Sequence, residues 1–177
     1  VAIGARGNDG SGTDSGHCRV YEYDTTMWVQ LGDDINGESA NDWSGFSLSL
    51  SGDGNRVAIG AFYNSNGANV HAGSVRVYDL IAAVWFLIGE IDGEASYNHF
   101  GVAVSLSDSG DRLAVGSHLN DGSGTDAGHV RVYEYDSSDW KIIGNDIDGE
   151  YSFDNSGISL SLSSDGNRVA IGAPGND

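Results

Sequence analysis

The stretch FSLSLSGDGNRVAIGA, residues 46–61, decides the fold. Its first six residues alternate apolar and small polar side chains, SGDGNR supplies turn residues with an Asp-Gly step, and VAIGA returns. That is the pattern of two antiparallel strands joined by a tight turn. The stretch recurs as FGVAVSLSDSGDRLAVGS (100–117) and SGISLSLSSDGNRVAIGAP (156–174). Its closing strand also stands at the start of the chain, so the four copies begin at Val1, Val57, Leu113 and Val169, each 56 residues after the last. A constant period of this length is the signature of a repeat architecture.

Working outward, a long Gly/Asp/Asn/Ser loop leads from each VAIGA copy to CRVYEYD, SVRVYDL or HVRVYEYD. A short turn then brings in MWVQLGDDI, VWFLIGEI or DWKIIGNDI, which carry Trp28, Trp85 and Trp140 as the predicted repeat core. The serine-faced strand leaves one side with little bulk, as close sheet-on-sheet contact requires. The reading is all-β: three tandem 56-residue, four-stranded antiparallel blades of β-propeller type at 1–56, 57–112 and 113–168, plus the first strand of a fourth at 169–177, open-ended.

Composition agrees. The 27 Gly, 8 Tyr and 4 Trp in 177 residues, without runs of helix formers, suit short strands and tight turns. The formal charge of −18 repels phosphate backbones and anionic lipid, which excludes nucleic acid and membrane surfaces as partners. No apolar run is long enough for a membrane-spanning helix. Cys18 is the one cysteine, has no internal partner, and stands where the other repeats have Val75 and Val130, so it reads as a small buried hydrophobe.

The quoted strands and hairpins, with Phe100–Gly101 and Gly172-Ala173-Pro174, resemble FG-GAP repeats, the blades of the integrin alpha-chain propeller and of many secreted proteins. The resemblance implies an extracellular or cell-surface propeller blade used in adhesion or structure. It also raises calcium as the one possible cofactor, because family blades often carry a calcium cage in the hairpin before the GAP strand. Here that hairpin offers only Asp53, Asp108 with Asp111, and Asp165, fewer carboxylates than the six to eight oxygens calcium takes, so the aspartates read as turn residues.

Two other acidic patterns stand out. The loop NDGSGTDSGH (8–17) recurs as NDGSGTDAGH (120–129), and Asp9, Ser11, Thr13 and Asp14, with Asp121, Ser123, Thr125 and Asp126, set oxygens at alternate positions for a hard cation. A solvated loop bonded to itself is the competing reading. Second, Glu38, Glu94 and Glu150 repeat alongside Arg19, Arg76 and Arg131 and alongside Arg56, Arg112 and Arg168. This predicts structural pairs between blades, with a cation site as the alternative.

No catalytic constellation is visible. His17, His71, His99, His118 and His129 fall at loops or strand starts, and HxxxH, HExxH and CxxC spacings are absent. Trp43, Tyr63, Tyr97 and Phe153 are the aromatic residues suited to loop tips, and they read as sharing no common position. The expectation is therefore a non-enzymatic extracellular structural repeat protein, a building block of a filament or long surface protein assembled through repeat stacking and edge-strand pairing. Its partners would be copies of itself or further repeats of the same chain, or an extracellular protein or glycan. The alternative is a calcium-dependent adhesion or glycan-binding segment of a closed β-propeller.

Overall fold

Alternation in FSLSLS places Leu48 and Leu50 on one side of a strand and Ser47 and Ser49 on the other, and the whole molecule is built by repeating that choice. The computed structural model describes residues 1–177 as fourteen strands with no helix. They are β1 (Ala2–Ala5), β2 (His17–Tyr23), β3 (Trp28–Asn36), β4 (Ser47–Leu50), β5 (Arg56–Ala61), β6 (Ser74–Ile81) and β7 (Val84–Asp92). The second half has β8 (Ala103–Leu106), β9 (Arg112–Ser117), β10 (His129–Tyr135), β11 (Trp140–Ile142), β12 (Ile147–Asp148), β13 (Ser159–Leu162) and β14 (Val169–Gly172). No helix is long and apolar enough to cross a membrane.

The strands form four open antiparallel sheets: β1-β2-β3, β4-β5-β6-β7, β8-β9-β10 with β11 and β12 both on β10, and β13-β14. This grouping corrects the expectation of three four-stranded units plus one strand. The turn at 51–55 ties each VAIGA strand to the serine strand before it, as in Leu50 opposite Val57. Likewise Leu162 lies opposite Val169, so the last VAIGA completes a hairpin rather than opening a new sheet. The full sheets consequently straddle the 56-residue windows.

The serine faces are hydrogen-bonded to the next sheet as well as small. The Ser47 hydroxyl donates to the Gly101 carbonyl at 2.8 Å, and the Leu106 and Leu162 amides donate to Ser49 Oγ at 2.9 Å and Ser105 Oγ at 3.0 Å. Gly4, Gly60 and Gly116 bring the backbones together: a Cβ at any of them would collide with the carbonyl of Gly45, Gly101 or Gly157 of the following sheet. Those three partners have φ of 84°, 85° and 87°, which glycine adopts without steric cost.

Two apolar clusters fill the spaces between sheets. Cys18, Val20 and Ile35 meet Val57, Ile59 and Tyr78; Ala58, Val75 and Val77 meet Val104, Leu113, Val115, Tyr133 and Trp140. Each fully buried Val or Ile contributes about 1.5–3 kcal/mol relative to exposure. Burial also pushes the Cys18 thiol up to about 12, so it is an inert core group.

The tryptophans differ in role. Trp140 is 6% exposed and Trp85 is half-buried, its indole N–H donating to the Leu31 carbonyl at 2.9 Å. Gly32 and Gly89 make room for them, since a Cβ there would meet the ring of Trp85 or Trp140. Trp28 is 56% exposed, which corrects its assignment to the core: no sheet packs against that side of β1-β2-β3.

Candidate functional site

Because every sheet is a meander, its two ends are chemically distinct. One end holds the tight turns after β2, β4, β6, β8, β10 and β13. The other holds the long loops 6–16, 62–73 and 118–128 and the sheet-to-sheet connections 37–46, 93–102 and 149–158. Bridges Gly16–Ser44, Gly73–Phe100 and Gly128–Ser156 clip each long loop to the connection beside it.

At the turn end the repeated acids are used locally. Asp53 Oδ1 accepts from the Ser51 hydroxyl at 2.7 Å and the Asn55 amide at 3.0 Å, and Asp165 repeats this with Ser163 and Asn167. Asp111 accepts from Ser107 and Ser109. Arg56 makes a two-pronged pair with Asp79 at 2.6 and 2.8 Å, donates to the Gly110 carbonyl of the next sheet at 2.9 Å, and stacks over Tyr135. Arg112 repeats the arrangement with Glu134 and the Gly166 carbonyl. So Arg56 and Arg112 take their acidic partner from their own sheet, not from the repeated glutamates, because Asp79 and Glu134 lie beside them across the ladder. Arg168 is exposed, 3.8 Å from Asp165.

The other arginine series does cross between sheets. Arg76 lies 3.4 Å from Glu38 and Arg131 3.2 Å from Glu94, while Arg19 pairs with Asp34 of its own sheet at 2.7 Å and Glu150 has no ion pair. Arg19 beside Asp34 holds that carboxyl down at about 2. Glu94, His129 and Asp146 are close enough together to hold an ion, but the Arg131 guanidinium already bonds both carboxylates and supplies the positive charge. Burial, then Arg131, lowers the His129 pKa.

The two aspartate-rich loops bond to themselves. The Asp9 carboxylate accepts the Asp14 amide at 2.9 Å and Asp121 that of Asp126 at 2.9 Å. The Ser123 hydroxyl donates to the Gly149 carbonyl at 2.5 Å, the Ser11 amide donates to Ser15, and the Thr13 and Thr125 carbonyls accept from Asn41 and Phe153.

The structure brings together a row of flat groups on the long-loop end. Arg6 lies 4.5 Å over the Trp43 ring, Trp43 stacks on Tyr63 at 4.4 Å and 14°, Tyr63 stacks on His99 at 5.1 Å, and His99 lies 5.4 Å from His118. His71 packs on Tyr63 at 4.4 Å, and Phe62 closes the row from beneath. Arg6 is the one basic side chain of the chain outside an ion pair. Burial, with His118 and His71 nearby, lowers His99 to about 4, and burial lowers His118. Both rings are therefore neutral at pH 7, and their buried Nδ1 atoms have no hydrogen-bond partner.

The backbone here carries strain. Asn41, Tyr97 and Phe153 have φ of 67°, 65° and 70°; Trp43, His99 and Asn155 have 56°, 57° and 55°. Asn tolerates this left-handed conformation, whereas Trp, Tyr and Phe pay about 1–2 kcal/mol for it. The shape belongs to the repeat, but the aromatic residues stand there against their own preference. Tyr97 and Phe153 thus do share a position, 56 residues apart, contrary to the sequence reading. The positions that are alike from repeat to repeat carry the fold and hold no trace of this cluster. The signal was divergence: Arg6, Phe62, His118 and Pro174 each follow a near-identical strand directly.

No family model and no curated protein matches the chain. Among solved structures it is similar to a Bacteroides uniformis protein provisionally described as a 6-phosphogluconolactonase, with a TM-score of 0.58 and 12% identity. The match covers 96% of this chain and 46% of that one, so the chain spans about half the length of the structure it resembles. At this identity the likeness shows the fold alone. It nonetheless overturns the expectation of a non-enzymatic structural building block: an arrangement of sheets shared with a protein described as an enzyme does not mark a scaffold. The filament and adhesion readings fall with it.

Proposed function

We propose that the long-loop end binds a small ring compound bearing an anionic group and acts on it as a hydrolase of the lactone-opening type. The observation that carries this is the row Arg6–Trp43–Tyr63–His99–His118, which begins in the one unpaired cation and ends in two imidazoles with unpartnered nitrogens. Arg6 would take a phosphate or carboxylate by paired N–H donors. Trp43 and Tyr63 offer flat apolar surface to the ring, and the neutral imidazoles supply nitrogen acceptors for the reacting water.

In the reaction, a water oxygen bonds to the lactone carbonyl carbon and gives one proton to an imidazole nitrogen. The bond from the carbonyl carbon to the ring oxygen then breaks, the ring oxygen takes that proton back from the imidazolium, and the open hydroxy acid results with the imidazole neutral again. The likeness to the provisional 6-phosphogluconolactonase supports this substrate class. Because the net charge of −18 opposes anions at long range, recognition depends on close contact with Arg6.

In the same reading the sheets are blades of propeller type, related to FG-GAP repeats. The recurring approach of Gly4, Gly60 and Gly116 to the next sheet supports this. The functional test is acid release from 6-phosphogluconolactone in weak buffer, against the spontaneous rate. An acceleration lost in Arg6→Gln and in a His99→Phe/His118→Phe double variant is expected; a rate equal to buffer alone overturns the reading.

A further inference from the structure

Four buried polar side-chain atoms in the chain lack a hydrogen-bond partner, and two of them, the Nδ1 atoms of His99 and His118, lie in neighbouring rings. An unpartnered buried polar atom costs about 1–3 kcal/mol, so two in contact call for a physical reason. The other two, Ser74 Oγ and Trp140 Nε1, belong to residues on β6 and β11, inside the sheets.

The spacing supplies a reason. Two imidazoles bound to one ion through nitrogens about 2.0–2.1 Å away, at a tetrahedral angle, have ring centres about 5.2 Å apart. The His99 and His118 rings are 5.4 Å apart and tilted by 37°. Neither ring has a carboxylate within ion-pair distance, in contrast to His17 beside Asp34 and His129 beside Asp146. Each ring is also held from a different segment, His99 from the connection before β8 and His118 from the residue after β9, and the two meet at one end of the β8-β9-β10 sheet.

We propose that His99 and His118 form a two-imidazole seat for a divalent transition ion of the zinc, nickel or copper type. Imidazole suits these ions, and further donors would have to complete the coordination beyond the two buried nitrogens. The acid-rich Glu94–His129–Asp146 group is the rival site, and Arg131 fills it. The inference concerns the same two imidazoles as the lactone reading, and because it is read out by ion binding without turnover, its failure and the failure of that reading are distinguishable.

The test titrates the full chain with Zn²⁺ and with Ni²⁺ by calorimetry, beside His99→Phe, His118→Phe and His71→Phe variants checked for folding by thermal melting. One site is expected, weakened at least about tenfold in the first two variants and kept in the third. Should the first two fail to fold, imidazole ¹H–¹⁵N spectra of the unaltered chain decide, with Zn²⁺ moving the Nδ1 signals of His99 and His118. No binding at millimolar ion, binding undiminished in both variants, or shifts confined to His129 would overturn the proposal.

Discussion

The two ends of the sheets were built from the same repeat and have diverged to different degrees. At the turn end, Ser51, Asp53, Asn55 and Arg56 recur as Ser163, Asp165, Asn167 and Arg168, with Ser107, Ser109, Asp111 and Arg112 between them, and Asp53, Asp111 and Asp165 each accept hydrogen bonds inside their own turn. At the long-loop end, one backbone shape is kept while its side chains change from Arg6 to Phe62 to His118, and from Trp43 to His99 to Asn155. Uniform chemistry at one end holds sheets together. Varied chemistry on a fixed backbone at the other end is what a binding face requires.

The sharpest way to break this division is at the closest approach between sheets. Gly116→Val places side-chain atoms into the Gly157 carbonyl and should cost more than about 4 kcal/mol, read as loss of the folded state in denaturant melts. If the variant melts normally, the stacking account is wrong. Next comes Arg56→Leu, which removes the Asp79 pair, the bond to Gly110 and the contact with Tyr135; about 2 kcal/mol should be lost, with the long-loop end unaffected.

A pH series separates the two ends further. His99 titrates near 4 in the folded chain against an ordinary 6.5, so the unfolded chain takes up its proton first as pH falls. The His99 contribution should make stability decline from pH 6.5 to 4 and add no further slope below, and His99→Phe should flatten that part of the curve. Carboxylates such as Asp34, held at about 2, act in a lower window: their contribution is present above their ordinary 3.8 and is lost as pH falls through 2. Smallest is Tyr97→Asn, which puts at 97 the residue that stands at 41; relief of the left-handed strain should add about 1 kcal/mol to stability while altering the binding face.

The strands and turns, and one set of contacts between sheets at the opposite end, were legible from residues alone. Period-two alternation named the serine strands, the Asp-Gly steps named the turns, and the co-recurrence of Glu38 with Arg76 and Glu94 with Arg131 pointed to contacts across sheets. A periodic pattern has no intrinsic phase, so where a sheet begins was not legible; pairing of Leu50 with Val57 settles it. Nor was the exposure of Trp28, which depends on whether a neighbouring sheet covers it. The ring row escaped because Arg6, Trp43, Tyr63, His99 and His118 come from five separate segments and match no motif.

The most direct test uses the tryptophans themselves. Trp28, Trp85 and Trp140 lie on strands β3, β7 and β11, and Trp43 alone lies in the ring row. Their four indole N–H signals, followed by nuclear magnetic resonance as 6-phosphogluconate is added, report each region separately. Movement of the Trp43 signal alone, saturating with ligand, is the result this account predicts; a still Trp43, or movement centred on Trp28, would contradict it.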